Sequence, residues 1–233
     1  MSVDPEGFDW RSPVYRRLAA AGARFAALGD AAVAESFAEP AHEAERARRL
    51  ALADLSPVGR IGFKGPSALD WLHAQGVTIG EEDNRAWRQA DGALAARLAP
   101  TEAVILDSVH APGAAARLAA AWSIDAAGCH LVHRRDAVAW FVVTGAAAAA
   151  MFAKLCAVDL RPHRFPPGGV AQSVAARLAA IIVRPPDGAA DAPPAFHLLA
   201  EGASGAYLWD CLVDAMAEFD GGLIGLAAVR GIL

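Results

Sequence analysis

Cysteine is scarce in this 233-residue chain: Cys129, Cys156 and Cys211 lie far apart in apolar surroundings. An odd, scattered set excludes a disulfide framework and a C-x-x-C metal knuckle, and points to a reducing, cytoplasmic setting. Blocks of like charge are also missing. With 21 Lys and Arg against 26 Asp and Glu, the net charge is -5 and no basic patch forms, which argues against a nucleic-acid partner. No apolar run reaches the ~20 residues that span a bilayer; the longest, Ala137 to Met151, is half strand and half helix by pattern. The first 17 residues hold acids and prolines but no basic segment leading into an apolar one, so they do not read as a secretory signal. The expectation is a soluble cytoplasmic protein without membrane or nucleic acid among its partners.

Catalytic signatures are thin as well. There is no G-x-S-x-G elbow, and Ser108 beside His110 reads as loop polarity. His130 and His133 stand three apart on a predicted strand and so point to opposite faces, while the other histidines are scattered singly; no metal set emerges. Gly59 to Gly65, G-R-I-G-F-K-G, has the look of a phosphate loop, but a dinucleotide fingerprint needs its glycines after the strand, and Gly59 and Gly62 lie within it.

What is present is apolar. At 55% hydrophobic content the chain can bury a large core as one large domain or two small ones. Helical spacing predicts two leading helices, Tyr15 to Leu28 and Pro40 to Leu52, the second with a charged, ion-paired face. Then a phrase repeats: strand, x-G, small residues, helix. It runs from Val58–Phe63 through Gly65 into the helix Ala68 to Gln75, and from Val138–Val143 through Gly145 into the helix Ala146 to Leu155. A looser third copy runs from Phe196–Leu199 through Gly202 into Gly205 to Phe219. Further strands are expected at Gly92–Leu98, Ala103–Leu106, Cys129–His133, Val170–Val174 and Arg177–Arg184, with a surface loop at Pro185 to Pro194. Paired strands interleaved with helices suggest an α+β fold of ferredoxin-like units with an internal pseudo-repeat. Residues 1–55 form a helical lead-in and 56–233 the α+β domain, together one compact unit.

The densest polar cluster is C-A-V-D-L-R-P-H-R-F-P-P-G-G-V-A-Q, Cys156 to Gln172. It has three readings: a structural turn braced by an Asp159–Arg161 salt bridge, a rigid basic ridge of Arg161, His163 and Arg164 docking to an acidic or anionic partner, and catalysis. The last lacks a paired acid and base. Cys156 and Cys211 follow apolar helical runs and read as buried thiols. Trp209 and Tyr207, two apart on the last long helix, are candidates for a recognition surface, although helix packing accounts for at least one of them.

The order of these features resembles a known superfamily. S-P-V-Y-R-R-L-A-A-A-G-A-R-F, Ser12 to Phe25, and E-A-E-R-A-R-R-L-A-L-A-D-L-S-P-V-G-R-I-G-F-K-G-P-S-A-L-D-W-L, Glu43 to Leu72, resemble the start of the folate-dependent aminomethyltransferases, the glycine-cleavage T-protein superfamily. F-V-V-T-G-A-A-A-A-A-M-F-A-K-L-C-A-V-D-L-R-P-H-R-F-P-P-G-G-V-A-Q and F-H-L-L-A-E-G-A-S-G-A-Y-L-W-D-C-L-V-D-A-M-A-E-F look like the gamma subunit of heterotetrameric sarcosine oxidase within it. The family's G-x-x-D-D-like catalytic strand would fall at Asp91 to Leu98, where alanines stand in place of the acids. Its folate-holding G-Y-T-G-E-like loop is replaced by a stretch offering only Asp187 and Asp191, and the K-G-C-Y-x-G-Q-E motif of related folate-binding proteins is missing. The resemblance implies an aminomethyltransferase-like folate-binding fold without catalytic, cofactor or metal residues of its own, serving as a small subunit beside larger flavoprotein subunits. Those partners would carry FAD, FMN, NAD and tetrahydrofolate. Arg161, His163, Arg164 and Trp209 are the interface candidates. The alternative is a stand-alone tetrahydrofolate-dependent aminomethyltransferase, with Asp91 or Asp107 as a displaced acid, or a folate-binding protein.

Overall fold

A computed structural model describes residues 2–186 and 192–233, so Asp187 and Asp191 and most of the expected surface loop lie outside the described residues. The lead-in departs from two plain helices. Helix α1 (Tyr15–Ala20) stops before Gly22, whose backbone takes φ +84°, and the rest of the predicted helix becomes strand β1 (Arg24–Leu28), paired antiparallel with β2 (Ala31–Ser36). The second helix, α2 (Pro40–Arg49), opens on proline at its first turn, where the missing N–H costs nothing. It ends before β3 (Ala51–Asp54), because the run Leu50 to Leu55 is buried from every side and a short continuous apolar run serves a central strand as readily as a helix. The lead-in thus ends inside a sheet, with β3 paired to the later strand Val138–Thr144.

Two units follow in the same order. The first comprises β4 (Arg60–Lys64), α3 (Ala68–Ala74), β5 (Arg85–Arg88), β6 (Leu94–Ala99), β7 (Glu102–Leu106), α4 (Ala114–Ala121) and β8 (His130–His133). The second comprises β9 (Val138–Thr144), α5 (Ala148–Phe152), β10 (Val170–Ala175), β11 (Leu178–Val183), β12 (Ala195–Glu201), α6 (Gly205–Ala217) and β13 (Gly222–Leu223), followed by α7 (Leu226–Arg230). Their sheets run β5-β6-β7-β4-β8 and β10-β11-β12-β9-β3-β13. Strand for strand the antiparallel pairings correspond, except that the lead-in's β3 takes the place beside β9 that β8 takes beside β4, and β13 joins outside it in parallel.

The repeat extends to single hydrogen bonds. Gly65 and Gly145 leave their strands at φ +129° and +114°, and a Cβ there would come within 2.2 Å of the Gly128 carbonyl oxygen and 2.4 Å of the Arg49 carbonyl oxygen. Those same carbonyls accept from the N–H two residues past each glycine, Ser67 to Gly128 and Ala147 to Arg49, both at 3.0 Å. Only glycine satisfies both the left-handed backbone and the close approach.

Alternation along the strands sorts three cores. Phe63, Ala95, Ala103 and Ile105 face α3 and α4 with Leu72 and Leu118; Phe141, Val143, Phe196 and Leu198 face α5 and α6 with Phe152 and Trp209. The other faces, Leu94, Ala96, Val104 and Leu106 against Trp140, Val142, Val183 and Leu199, meet between the sheets. The result is helix, sheet, sheet, helix, with both sheets covered on both sides. No helix of the described residues is long and apolar enough to cross a membrane.

Candidate functional site

The segment Cys156 to Gln172 is a braced turn with a basic edge. The Asp159 carboxylate accepts from Arg161 Nε at 2.8 Å, Nη2 at 2.6 Å and the Arg161 main-chain N–H at 3.1 Å. That guanidinium holds the Asp159 carboxyl well below the usual carboxylate range. From beneath, Arg184 donates to the Phe165 carbonyl at 2.5 Å and Arg85 to the Pro167 carbonyl at 3.4 Å, while Phe165 stacks on Phe196. Cys156 is buried at the end of the α5 turn. Arg161, His163 and Arg164 are all exposed, but the Arg161 guanidinium is taken up by Asp159, while the side chains of His163 and Arg164 make no hydrogen bond among the described residues. Trp209 is corrected: it is 3% exposed, edge-on to Phe141 at 5.3 Å, because its turn of α6 faces the sheet. Tyr207, half exposed, stays on the surface.

The acids named as displaced catalytic groups serve the backbone. Asp91 accepts from the Ala93 N–H and shapes a turn. Asp107, its carboxyl raised by burial, accepts from Gly113 and Ala115 N–H at 2.9 and 2.7 Å and so caps α4. The alanines of β6 explain the missing acids physically, since Ala95 faces the helix-side core and Ala96 the inter-sheet core, both with no exposed surface. Another buried acid, Asp54, lies beside Arg60, whose guanidinium donates to the carbonyls of Ser56, Val58, Arg135 and Val138. Burial pushes Arg60 down to about 10. This pair ties the end of the lead-in to the turn before β9 and to its first residue.

Sequence reasoning missed one polar site. His197 on β12 lies between the sheets, 3% exposed, and its Nδ1 accepts from Trp140 Nε1 at 3.0 Å. Burial, with Arg88 nearby, lowers its pKa to about 3. Around it Arg88, Gly92, Leu94, Asp107, Ser108, His110 and Leu233 enclose a recess of about 20 Å³. The available signal was a histidine at an inward position of the apolar strand F-H-L-L, but its partner Trp140 is remote in sequence and is found only through strand register. Three larger clefts, of about 370, 420 and 480 Å³, lie beside α2 and α7, beside α4, and against β10 to β12, with arginines on their walls. Among the described residues no three His, Cys, Asp or Glu side chains gather as metal ligands.

No family model and no curated protein matches the sequence. Among solved structures the chain is similar to the glycine cleavage system aminomethyltransferase T from Bartonella henselae, with a TM-score of 0.71 at 19% identity over 96% of this chain and 61% of that one. The fold is therefore of the aminomethyltransferase class, as the sequence resemblance implied. The chain also matches a chain of heterotetrameric sarcosine oxidase from Corynebacterium sp. U-96, with a TM-score of 0.66 at 18% identity over 91% of this chain and 97% of that one. The first match leaves over a third of the aminomethyltransferase uncovered; the second runs nearly end to end.

Proposed function

We propose that this chain is a non-catalytic, gamma-type small subunit of a sarcosine oxidase-like complex that oxidises an N-methyl amino acid and passes the one-carbon unit to tetrahydrofolate. The observation that carries the reading is the end-to-end match to a heterotetrameric sarcosine oxidase chain, against coverage of only 61% of the aminomethyltransferase. The centre of the fold supports it. The inter-sheet recess of about 20 Å³ is far below the ~300 Å³ at which pockets for cofactor-sized ligands begin. Asp91 and Asp107 are engaged with main-chain N–H groups, so neither is placed as a spare acid.

FAD, FMN, NAD and tetrahydrofolate are assigned to larger flavoprotein partners, and His163 and Arg164 are the basic edge offered to them. Expressed alone, the chain purifies colourless, without oxidase activity toward sarcosine and without heat on titration with tetrahydrofolate. Co-expressed with the flavoprotein subunits, it co-purifies with them. A tightly bound flavin in the isolated chain, or failure to co-purify, overturns the assignment.

A further inference from the structure

We propose, resting on the subunit reading above, that the open edge of β8 docks an extended, acidic segment of one of the larger subunits, which adds to the first sheet as its sixth strand. The internal repeat is closed in one half of the molecule and open in the other. Beside β9 lies β3, and β13 completes that edge in parallel, with the Gly222 and Ile224 N–H groups donating to the Leu50 and Leu52 carbonyls at 3.1 Å. Beside β4 lies β8, and among the described residues the sheet ends there, at five strands against six. β3 is buried along its whole length, whereas His130 and His133 of β8 are exposed and Leu131 and Val132 half-buried.

The main-chain groups of this edge are free. Apart from its pairing with β4, β8 makes no main-chain hydrogen bond among the described residues. Alternate N–H and C=O groups of such a strand point away from its neighbour and form a template for another strand. Edges are commonly blunted by proline, lysine or a bulge; the run His130 to His133 has none of these, and its register with β4 is unbroken.

The surroundings of the edge select the segment. Where His133 pairs with Ile61, the cleft of about 420 Å³ beside α4 opens, with Leu28, Ile61, Pro112, Ala116 and Ala119 on its lining. It takes a bulky apolar side chain of the incoming strand, so that main-chain bonds supply affinity and the cleft supplies specificity. The acids on that cleft are all engaged, Asp30 with Arg135, Asp107 with the start of α4 and Asp136 with Trp10 Nε1 at 2.7 Å. Along the edge Glu102 serves both Lys64 at 3.0 Å and Arg134 at 2.8 Å, so two cations share one acid and an excess positive charge remains. An acidic segment complements that charge, whereas a second copy of β8 would bring two like edges together.

The test is amide hydrogen exchange of the full chain, alone and in the complex purified with the larger subunits. The amides of His130 to His133 should exchange about tenfold more slowly in the complex, or slower still, while those of β12, already paired on both sides, stay unchanged. Ala116→Trp, which fills the cleft from an exposed position, should weaken association about tenfold at an unaltered unfolding temperature. Unchanged exchange at β8 in a complex that forms, or wild-type association by Ala116→Trp, overturns the docking edge and leaves the subunit reading standing. Failure of the complex to form overturns the subunit reading itself, and the docking edge with it. Protection of β8 that grows with the concentration of the isolated chain assigns the edge to a second copy and equally overturns the proposal.

Discussion

At the scale of single residues, burial sets the chemistry, and His197 is the clearest case. Its pKa falls from 6.5 in the unfolded chain to about 3 in the fold, because the sheets exclude the water an imidazolium needs and Arg88 adds a like charge. Between those values the unfolded state binds a proton that the native state refuses, so stability is lost as pH falls below 6.5. From pH 7 to pH 5 the loss is about 2 kcal/mol. Urea titrations at the two pH values should show it in the wild type and not in His197→Phe. Asp54 has the opposite dependence, since burial raises its carboxyl, and the comparison between variants removes it. Two residues carry backbone strain: Ala176 and Arg177 turn the β10–β11 hairpin at φ +48° and +67°, where Asn-Gly is the usual solution. Arg177 is exposed, so Arg177→Gly should gain about 1 kcal/mol by relieving the left-handed backbone. A thermal midpoint that does not rise counts against that account.

At the scale of elements, the junction glycines govern the fold. Gly65→Ala and Gly145→Ala each drive a Cβ into a carbonyl and hold alanine at a forbidden φ, for an expected loss of about 3 kcal/mol each. Gly202, the third copy of the phrase, lies in a 3-10 turn without a positive φ, and its Cβ would press only lightly on the Ala137 and Asp136 carbonyl oxygens, at 3.3 Å. Gly202→Ala should cost about 1 kcal/mol or less. Chemical denaturation of the three variants side by side checks the ranking. The same contrast explains what could be read in advance. The strand-glycine-helix phrase fixes backbone geometry locally, so β4, β9, β12, α3 and α6 were legible to within a residue or two. The hairpin β1–β2 and strand β3 were not, because alanine and leucine favour helix by propensity and only pairing across the sheet overrides it. Helices α4 and α7 passed unnoticed for a related reason. Ala114–Ala121 is nearly all alanine with no apolar stripe, and Leu226–Arg230 is too short for one to repeat. At the candidate site, Asp159 bracing Arg161 was visible because the two are neighbours in sequence. The His197–Trp140 pair was hidden because it exists only through the β9–β12 register.

At the scale of the whole molecule, layered packing decides what remains available for a partner. Helices cover the outer face of each sheet and the inner faces cover one another, so Trp209, although aromatic and on the chain's last long helix, belongs to the core. Trp209→Ala should cost about 3 kcal/mol or more in stability through the cavity it leaves. The turn between α5 and β10 instead keeps Arg161, His163 and Arg164 exposed, and within this basic edge the charges are unequal. Arg161, 65% exposed, spans a bidentate pair with Asp159, so reversing it breaks the turn as well as the surface. Arg164 has no such partner among the described residues, and Arg164→Glu therefore changes surface charge with little effect on the fold. A rim charge acts mainly on encounter, so against an acidic flavoprotein surface the variant should associate about tenfold more slowly at low salt. The deficit should shrink as salt screens the field, while the unfolding temperature stays at the wild-type value. Association rates of refolded wild type and Arg164→Glu with the larger subunits, at two ionic strengths, separate this from a structural defect. Equal rates at low salt would reduce the segment to a turn held by Asp159, Arg85 and Arg184 and place the docking surface elsewhere on the molecule.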